Sequence, residues 1–511
     1  HNVMLQGKGF PSQTLDVVGL AAEVADYSGG AGSYRMESYF GRLSGSYKNR
    51  YLLTATLRTD GSSKFAKAYR WGWFPSVSLG WNIAREEFWE SFIDKVNTLK
   101  FRASWGLLGN QNTNNWYQTY RTIGFTASNG SWLQNGVKPN TASFPDLVSS
   151  VLTWEKIENY NIGVDFGLFN NRLTGSFDYF IRYTDDMVGP AVEMPAVLGI
   201  AVPKTNNSNL KTQGWELSIA WQDRLENGFN YSARFNLSDA RTYIEEYYGN
   251  PTNDLGNYIA GRETGEIWGY TTVGIAQTQQ EMDKHLAAVG GQAGIYGGEW
   301  LAGDIMYKDM DGVAGIGRGA YTLEDHGDLT VIGNNTPRFH FGLDLNASWK
   351  GFDVRAFFQG VMKRDLFINT PMFWGIHGDM WWSAGFKEHG DFWHDQPLGL
   401  QGHEIPANTT GAYYPRPLFN NQRNHQVQTR YLQDASYIRL KNLQLGYTIP
   451  RNVINKIGLQ NCRIYVSGEN LWTGTSLNRT FDPETATGGY NGYGNSYPLT
   501  STWAFGLSVT L

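Results

Sequence analysis

Two stretches of the chain concentrate side chains that could do chemistry. The first, GDIMYKDMDGVAGIGRGAYTLEDHGD over 303–328, carries Asp309, Asp311, Asp325 and Asp328. Carboxylates in a loop are the hard oxygen ligands that a divalent cation takes. Val313, Ala314 and Gly315 follow Gly312 and offer no side-chain oxygen, so a solvated acidic loop without metal is the competing reading. The second stretch, 361–436, holds Phe373, Trp374, Trp381, Trp382, Phe386, Phe392 and Trp393, with His377, Asp379, Glu388, His389 and His394. Flat rings beside polar groups cover the apolar faces of a sugar or a protein at low entropic cost. Trp374, Trp381, Trp382, Trp393, His377 and Asp379 are therefore the candidate contacts to a substrate or to a partner. The alternative is that the rings pack within the loop.

Covalent chemistry finds less support. Glu155 and Glu158 could suggest a glycosidase, which needs two carboxylates flanking one bond. They stand three residues apart at the entry to a strand, on opposite faces, and read as structural. The glycine-rich GGYNGYGNSY over 488–497 lacks the lysine and the strand-to-helix setting of a phosphate loop. The one cysteine, Cys462, excludes an intrachain disulfide and reads as a small packed apolar residue. A net charge of −5 leaves no basic footprint for nucleic acid.

The elements that must position these loops are strands. The last residues, WAFGLSVTL, place Trp503, Phe505, Leu507, Val509 and Leu511 on one face. Ala504, Gly506, Ser508 and Thr510 take the other. The same period of two runs through YLLTATLRT, WGWFPSVSLGWNI, LKFRASWGL, WELSIAW, FHFGLDLNASW and FDVRAFFQG, the signal of a strand with one apolar face. Thirteen such strands are predicted. One, ASYIRLKNLQLGYTI, changes phase near Lys441, which predicts a β-bulge.

The connections alternate in length. Lys48-Asn49, Asn170-Asn171, Glu226-Asn227-Gly228 and Lys350-Gly351 mark tight hairpins, with 86–96 and 450–460 somewhat longer. Between them come long connections at about 60–70, 108–157, 184–212, 239–337, 361–436 and 473–499. Short turns at one end and long loops at the other is the layout of an outer-membrane barrel. The apolar face of Trp71 to Trp81 fits as well: at ~3.3 Å per residue it spans about 33 Å of strand, or roughly 25 Å of height when tilted. A soluble sandwich with buried tryptophans is the competing fold. Mean hydropathy is −0.42, a value that polar loops and a polar inner face allow in a membrane barrel. No apolar run approaches the ~20 residues of a membrane helix. Bacterial single-chain barrels have even strand numbers, so thirteen strands predict a partner from upstream, and His1–Leu5 is a candidate stub of one more.

Eight stretches resemble the SusC/RagA family of TonB-dependent outer-membrane transporters of Bacteroidetes-type bacteria. They include DGSSKFAKAYRWGWFPSVSLGWNI (60–83), LTWEKIENYNIGVDFGLFNNRLTGSFDYF (152–180), GEIWGYTTVGIAQTQQE (265–281), DASYIRLKNLQLGYTIP (434–450) and RIYVSGENLW (463–472). They run in order from about residue 60 to the end. The resemblance implies an all-β transmembrane antiparallel barrel, of which residues 1–511 would be the C-terminal portion: about 13–14 strands of roughly 22, with plug domain and first strands preceding His1. It implies a cell outer-membrane location, a SusD-like surface lipoprotein as lid, TonB coupling through the missing portion, and oligosaccharide or peptide cargo. It implies no cofactor beyond a structural Ca²⁺ in the 303–328 loop. Two departures stand out: the terminal residue is Leu511 where many such strands end in an aromatic, and HNVMLQGKGFP is shortened against the family.

The functional expectation is therefore active import, with lumen-facing Arg58, Lys100, Arg102, Asp178, Arg182, Glu216, Arg234, Asp344 and Arg355 lining the path or holding a plug. A receptor or adhesin barrel without transport is the second reading, and a soluble β-rich carbohydrate enzyme the remote third.

Overall fold

The computed structural model describes residues 2–8, 23–30, 33–111, 116–126, 128–143, 145, 147–190, 197, 202–375, 385–400, 403–418, 422–454, 458–486 and 497–510. Side chains are described from residue 33 onward, apart from positions 400 and 403.

Thirteen strands pair strictly in chain order into one antiparallel sheet. They are β1 (Met36–Tyr47), β2 (Tyr51–Ser62), β3 (Trp71–Asn82), β4 (Val96–Asn110), β5 (Glu155–Leu168), β6 (Leu173–Gly189) and β7 (Thr205–Arg224). The series continues with β8 (Asn230–Tyr247), β9 (Arg338–Trp349), β10 (Phe352–Lys363), β11 (Tyr437–Thr448), β12 (Asn461–Thr475) and β13 (Thr502–Thr510). Each of the thirteen alternating segments in the sequence is one of these strands. The tight hairpins lie where the Asn and Gly residues put them: Lys48, Asn49, Asn170, Asn171, Lys350, Gly351 and Gly228 all take positive φ, as twist-compatible hairpin turns require. The phase change in β11 is a bulge, with pairing to β12 jumping from Leu440 to Asn442.

The sheet forms a wall with two unlike faces. Trp71, Trp73, Val77, Leu79 and Trp81 of β3 are exposed on one face, as are Leu345, Phe352, Leu445 and Phe505 further along. The opposite face is ionic. Arg102 bridges Asp165 and Asp178 at 2.8 and 2.9 Å, Arg355 pairs with Asp344 at 2.6 Å, and Arg463 pairs with Asp353. An apolar outside and a charged inside is a barrel wall in lipid. No helix among the described residues is long and apolar enough to cross a membrane. Strands β1 and β13 each pair on one side among the described residues.

Three strands run further than their apolar pattern. β6, β7 and β8 have 17, 20 and 18 residues, against the ~9–11 that cross a membrane. Their upper parts, such as Ser208–Thr212 against Thr242–Tyr247, keep no unbroken apolar face and are held by ladder hydrogen bonds. The connections expected at 184–212 and 239–337 are shorter by that amount. A further ribbon, Asn2–Lys8 against Glu23–Gly30, stands apart from the wall sheet. The expected stub at His1–Leu5 overlaps its first strand.

Above the long-loop end of the wall lies a cap. Segments 248–337, 364–436 and 476–486 contribute to one apolar core, including Met282, Ile305, Tyr307, Phe373, Tyr431 and Phe481. The longest helix among the described residues, α1 (Gln279–Val289), starts at Thr278, whose side chain accepts the Glu281 N–H, and ends at Gly290 in the left-handed region.

Candidate functional site: the loop cap

A buried carboxylate ties the cap together. Asp304 is fully buried and accepts from Arg416 Nε (2.7 Å) and Nη2 (2.9 Å), Arg423 Nη1 (3.2 Å), Asn424 Nδ2 (3.0 Å) and the Leu301 N–H (3.0 Å). A charge can sit in such a place because every lone pair is occupied and two cations face it. Beside it, Gln292 donates to the Ile305 carbonyl (3.1 Å) and accepts the Tyr307 N–H (2.7 Å). The Tyr307 hydroxyl donates to the Arg423 carbonyl at 2.7 Å. Burial pushes Tyr307 well above its ordinary pKa and Tyr270 up to about 12, so both remain neutral. The network joins residues more than 110 apart in sequence, which makes 248–337 and 364–436 one body.

The cap is latched to the inner face of the wall. Arg439 of β11, 3% exposed, pairs with Asp482 at 2.8 Å and Glu484 at 2.9 Å. Lys441, the bulged residue, reaches Glu484 at 3.0 Å. The bulge thus re-aims a lysine toward the third cap segment, a use bulges often have.

The sequence-predicted contacts fall differently. Trp374 is 5% exposed and packs against Phe373, Tyr414, Tyr431 and His425, the last at 4.3 Å between ring centroids. Trp393 is also buried and lies on Gly303, where an added Cβ would come within 2.3 Å of the ring. Trp374 is therefore part of the cap core, while Trp393 is buried against Gly303. The sequence favours contact for them because an aromatic cluster looks alike whether it packs on itself or on a ligand. Trp381, Trp382, His377 and Asp379 lie outside the described residues. Trp374 borders a pocket of about 310 Å³ shared with Phe386, His389, Phe392, Tyr414 and His425. His389 is fully engaged there: Nδ1 accepts the Phe386 N–H at 2.8 Å, and Nε2 lies 3.1 Å from the Met372 and Phe373 carbonyls.

Of the acidic loop, Asp309, Asp311 and Asp328 come together, with one oxygen of each within 4.8 Å of the others. That donor set suits a hard cation such as Ca²⁺. Asp325 is not in the group; its carboxylate accepts the Ala320 N–H at 2.9 Å. The carboxylates also brace the loop itself: Asp309 holds the Gly312 N–H, and Asp328 holds the N–H groups of Met310 and Gly317. Glu155 and Glu158 point apart, Glu155 to Asn110 and the Val188 N–H, Glu158 to Trp105 and Tyr160.

Sequence reasoning passed over the connection between β4 and β5. Trp116, Tyr120, Phe125, Trp132, Leu133 and Val137 are all exposed there, on a loop with one two-residue strand pair, Phe125–Thr126 with Thr141–Ala142. The signal was the aromatic content of a long loop; it lacked the density of 373–393.

The barrel wall and its loops match the family model described as "TonB dependent receptor-like, beta-barrel" over residues 8–471. The chain belongs to that family. Its outward apolar face accordingly meets the lipid of the outer membrane. "TonB-dependent receptor P3" of Formosa agariphila is 28% identical, the match covering 100% of this chain and 50% of the relative. "TonB-dependent receptor SusC" of Bacteroides thetaiotaomicron is 26% identical over 100% of this chain and 47% of the relative. The chain spans about half the length of the curated relatives it matches. Among solved structures, that of the RagAB peptide transporter superposes with a TM-score of 0.75 at 22% identity, covering 98% of this chain and 51% of that one. This likeness carries the fold: a SusC- and RagA-like receptor barrel.

Proposed function

We propose that this receptor chain forms wall and cap of a TonB-dependent importer that takes up oligosaccharides, or peptides, under a SusD-like surface lipoprotein. The observation that carries the reading is the combination of a lipid-facing wall, a charged inner face and a rigid cap latched onto that inner face at Arg439. The two half-paired edges, β1 and β13, would be completed by further strands, because an open edge in lipid leaves N–H and C=O groups unpaired. The ionic rows around Arg102 and Arg355 would face a plug or passing cargo. Binding and gated passage, not bond chemistry, is the activity, and TonB would drive it through a part of the receptor other than this wall.

The exposed aromatics Trp116, Tyr120, Phe125 and Trp132 are the better candidates for lid or cargo contact than Trp374 and Trp393. The test is purification of the full-length receptor from detergent-solubilised outer membranes, with mass spectrometry of what accompanies it. A stoichiometric surface lipoprotein and retained oligosaccharide or peptide are expected. A barrel that comes out with neither would overturn the lidded-importer reading and favour a receptor or adhesin barrel without transport.

A further inference from the structure

The lipid-facing side of the wall carries an apolar trough near its short-turn end. In register across β3, β4 and β5, Leu79 faces Ala103, which faces Ile162. The row toward the short turns is Trp81, Phe101 and Val164, and the row toward the cap is Val77, Trp105 and Tyr160. Ala103 is thus a small residue enclosed by large ones. Around it lies a groove of about 740 Å³, walled by Tyr51, Leu79, Trp81, Phe101, Ile162 and Phe177.

The mouth of the groove is charged. Trp81 Nε1 donates to Glu86 Oε1 at 3.0 Å, and the Tyr51 hydroxyl also hydrogen-bonds Glu86. The other Glu86 oxygen accepts from Arg50 Nη1 at 3.1 Å, and Arg50 Nη2 reaches Glu87 Oε1 at 3.0 Å. The Glu87 side chain is 80% exposed. Beyond the clip, Phe88 and Phe92 are exposed on either side of Trp89. Four of the turns at this end of the wall are tight hairpins, whereas this connection projects an aromatic foot. Aromatic rings continuous with a lipid belt sit at headgroup level.

We propose that this end of the wall binds one zwitterionic aminophospholipid, its acyl chain in the groove over Ala103 and its headgroup against the Glu86–Arg50–Glu87 clip. The lipid belt supplies the occupant, because the groove opens into it. The exposed carboxylate of Glu87 suits a lipid ammonium, and the Arg50 guanidinium suits its phosphate. The aromatic foot anchors the rim in the same leaflet. This goes beyond the import reading and does not depend on lid or cargo.

The test is native mass spectrometry of the full-length receptor after exchange into mixed micelles holding phosphatidylethanolamine and phosphatidylglycerol in equal amounts. The wild type is expected to retain one phosphatidylethanolamine. Ala103→Trp should lose it, while Ala233→Trp, on the same lipid face but on β8 beside Trp221 and Leu345 and away from the groove, should keep it. Glu87→Gln should abolish the preference between the two lipids. Heat-modifiable migration of each variant verifies that the barrel is folded, and lid and cargo retention should be unchanged. Lipid retained by Ala103→Trp, or equal retention of both lipids by the wild type, would overturn the assignment.

Discussion

Trp73 on the wall and Trp374 in the cap carry the same side chain into opposite surroundings: one is 61% exposed, the other 5%. The wall turns its aromatics outward and its arginines inward, because its outer solvent is hydrocarbon. The cap turns its aromatics inward and holds its most deeply buried carboxylate, Asp304, with two arginines, because its solvent is water. A single chain therefore builds two bodies under two solvation rules. The switch between them occurs within a few residues at the upper ends of β8, β10 and β11. At that boundary the bulge at Lys441 and the Arg439 latch join the two.

The comparison breaks most sharply at Asp304. Asp304→Ala leaves Arg416 and Arg423 facing each other without their shared carboxylate, and losing one partner of a buried ionic group costs about 3–5 kcal/mol. The expected outcome is rapid limited proteolysis within 248–337 and 364–436, with heat-modifiable barrel migration retained. Loss of the barrel along with the cap would mean the two bodies fold as one.

Charge placement sharpens it next. Val77 lies midway along the outward face of β3, between Trp73 and Trp81. Val77→Arg in the full-length receptor is expected to destabilise by about 2–4 kcal/mol, the cost of an arginine near the bilayer midplane. Val313 on the cap is more exposed than Val77, 64% against 37%, yet Val313→Arg is expected to change stability by no more than about 0.5 kcal/mol. Unfolding titrations from lipid vesicles measure both; equal costs would erase the distinction between the surfaces.

The smallest effect is at the latch. Burial alone would raise the Asp482 carboxyl, but the Glu484 N–H, Arg439 and the Leu499 N–H outweigh it and hold the group below its ordinary value. A lowered carboxylate contributes stability that is complete above the unfolded value, about 3.9, and is lost as pH falls through the folded value. Hydrogen-exchange protection at residues 476–486, taken relative to the intrinsic rate at each pH, is expected to hold from pH 7 down to about pH 4 and to fall below it. A transition between pH 6 and 8 would assign the latch to some other group.

What the sequence made legible follows the same division. The wall could be read strand by strand, since each apolar face repeats every two residues within one segment. Even the bulge was visible, as a change of parity around Lys441. The cap left no such trace. Tyr307, Tyr431 and Phe481 meet in one core from three separate connections, and no local period records a contact over a hundred residues away. The upper parts of β6 to β8 were hidden because neither face there keeps an unbroken apolar period. Trp374 and Trp393 stand out in the sequence as candidate contacts, and in the cap both are buried. Three of four candidate aspartates converge, while Asp325 turns to the Ala320 N–H, a choice set by backbone geometry and not by composition.

The most direct test of the two-solvent account is a cysteine scan of positions 76–79 in β3 of the receptor in outer-membrane vesicles. Each site is probed with a lipid-phase label and a water-soluble one. Val77 and Leu79 should react with the lipid-phase label, Ser76 and Ser78 with the aqueous one, while a cysteine at Val313 should react with the aqueous label alone. Reactivity without that alternation, or aqueous labelling at Val77 and Leu79, would contradict the account.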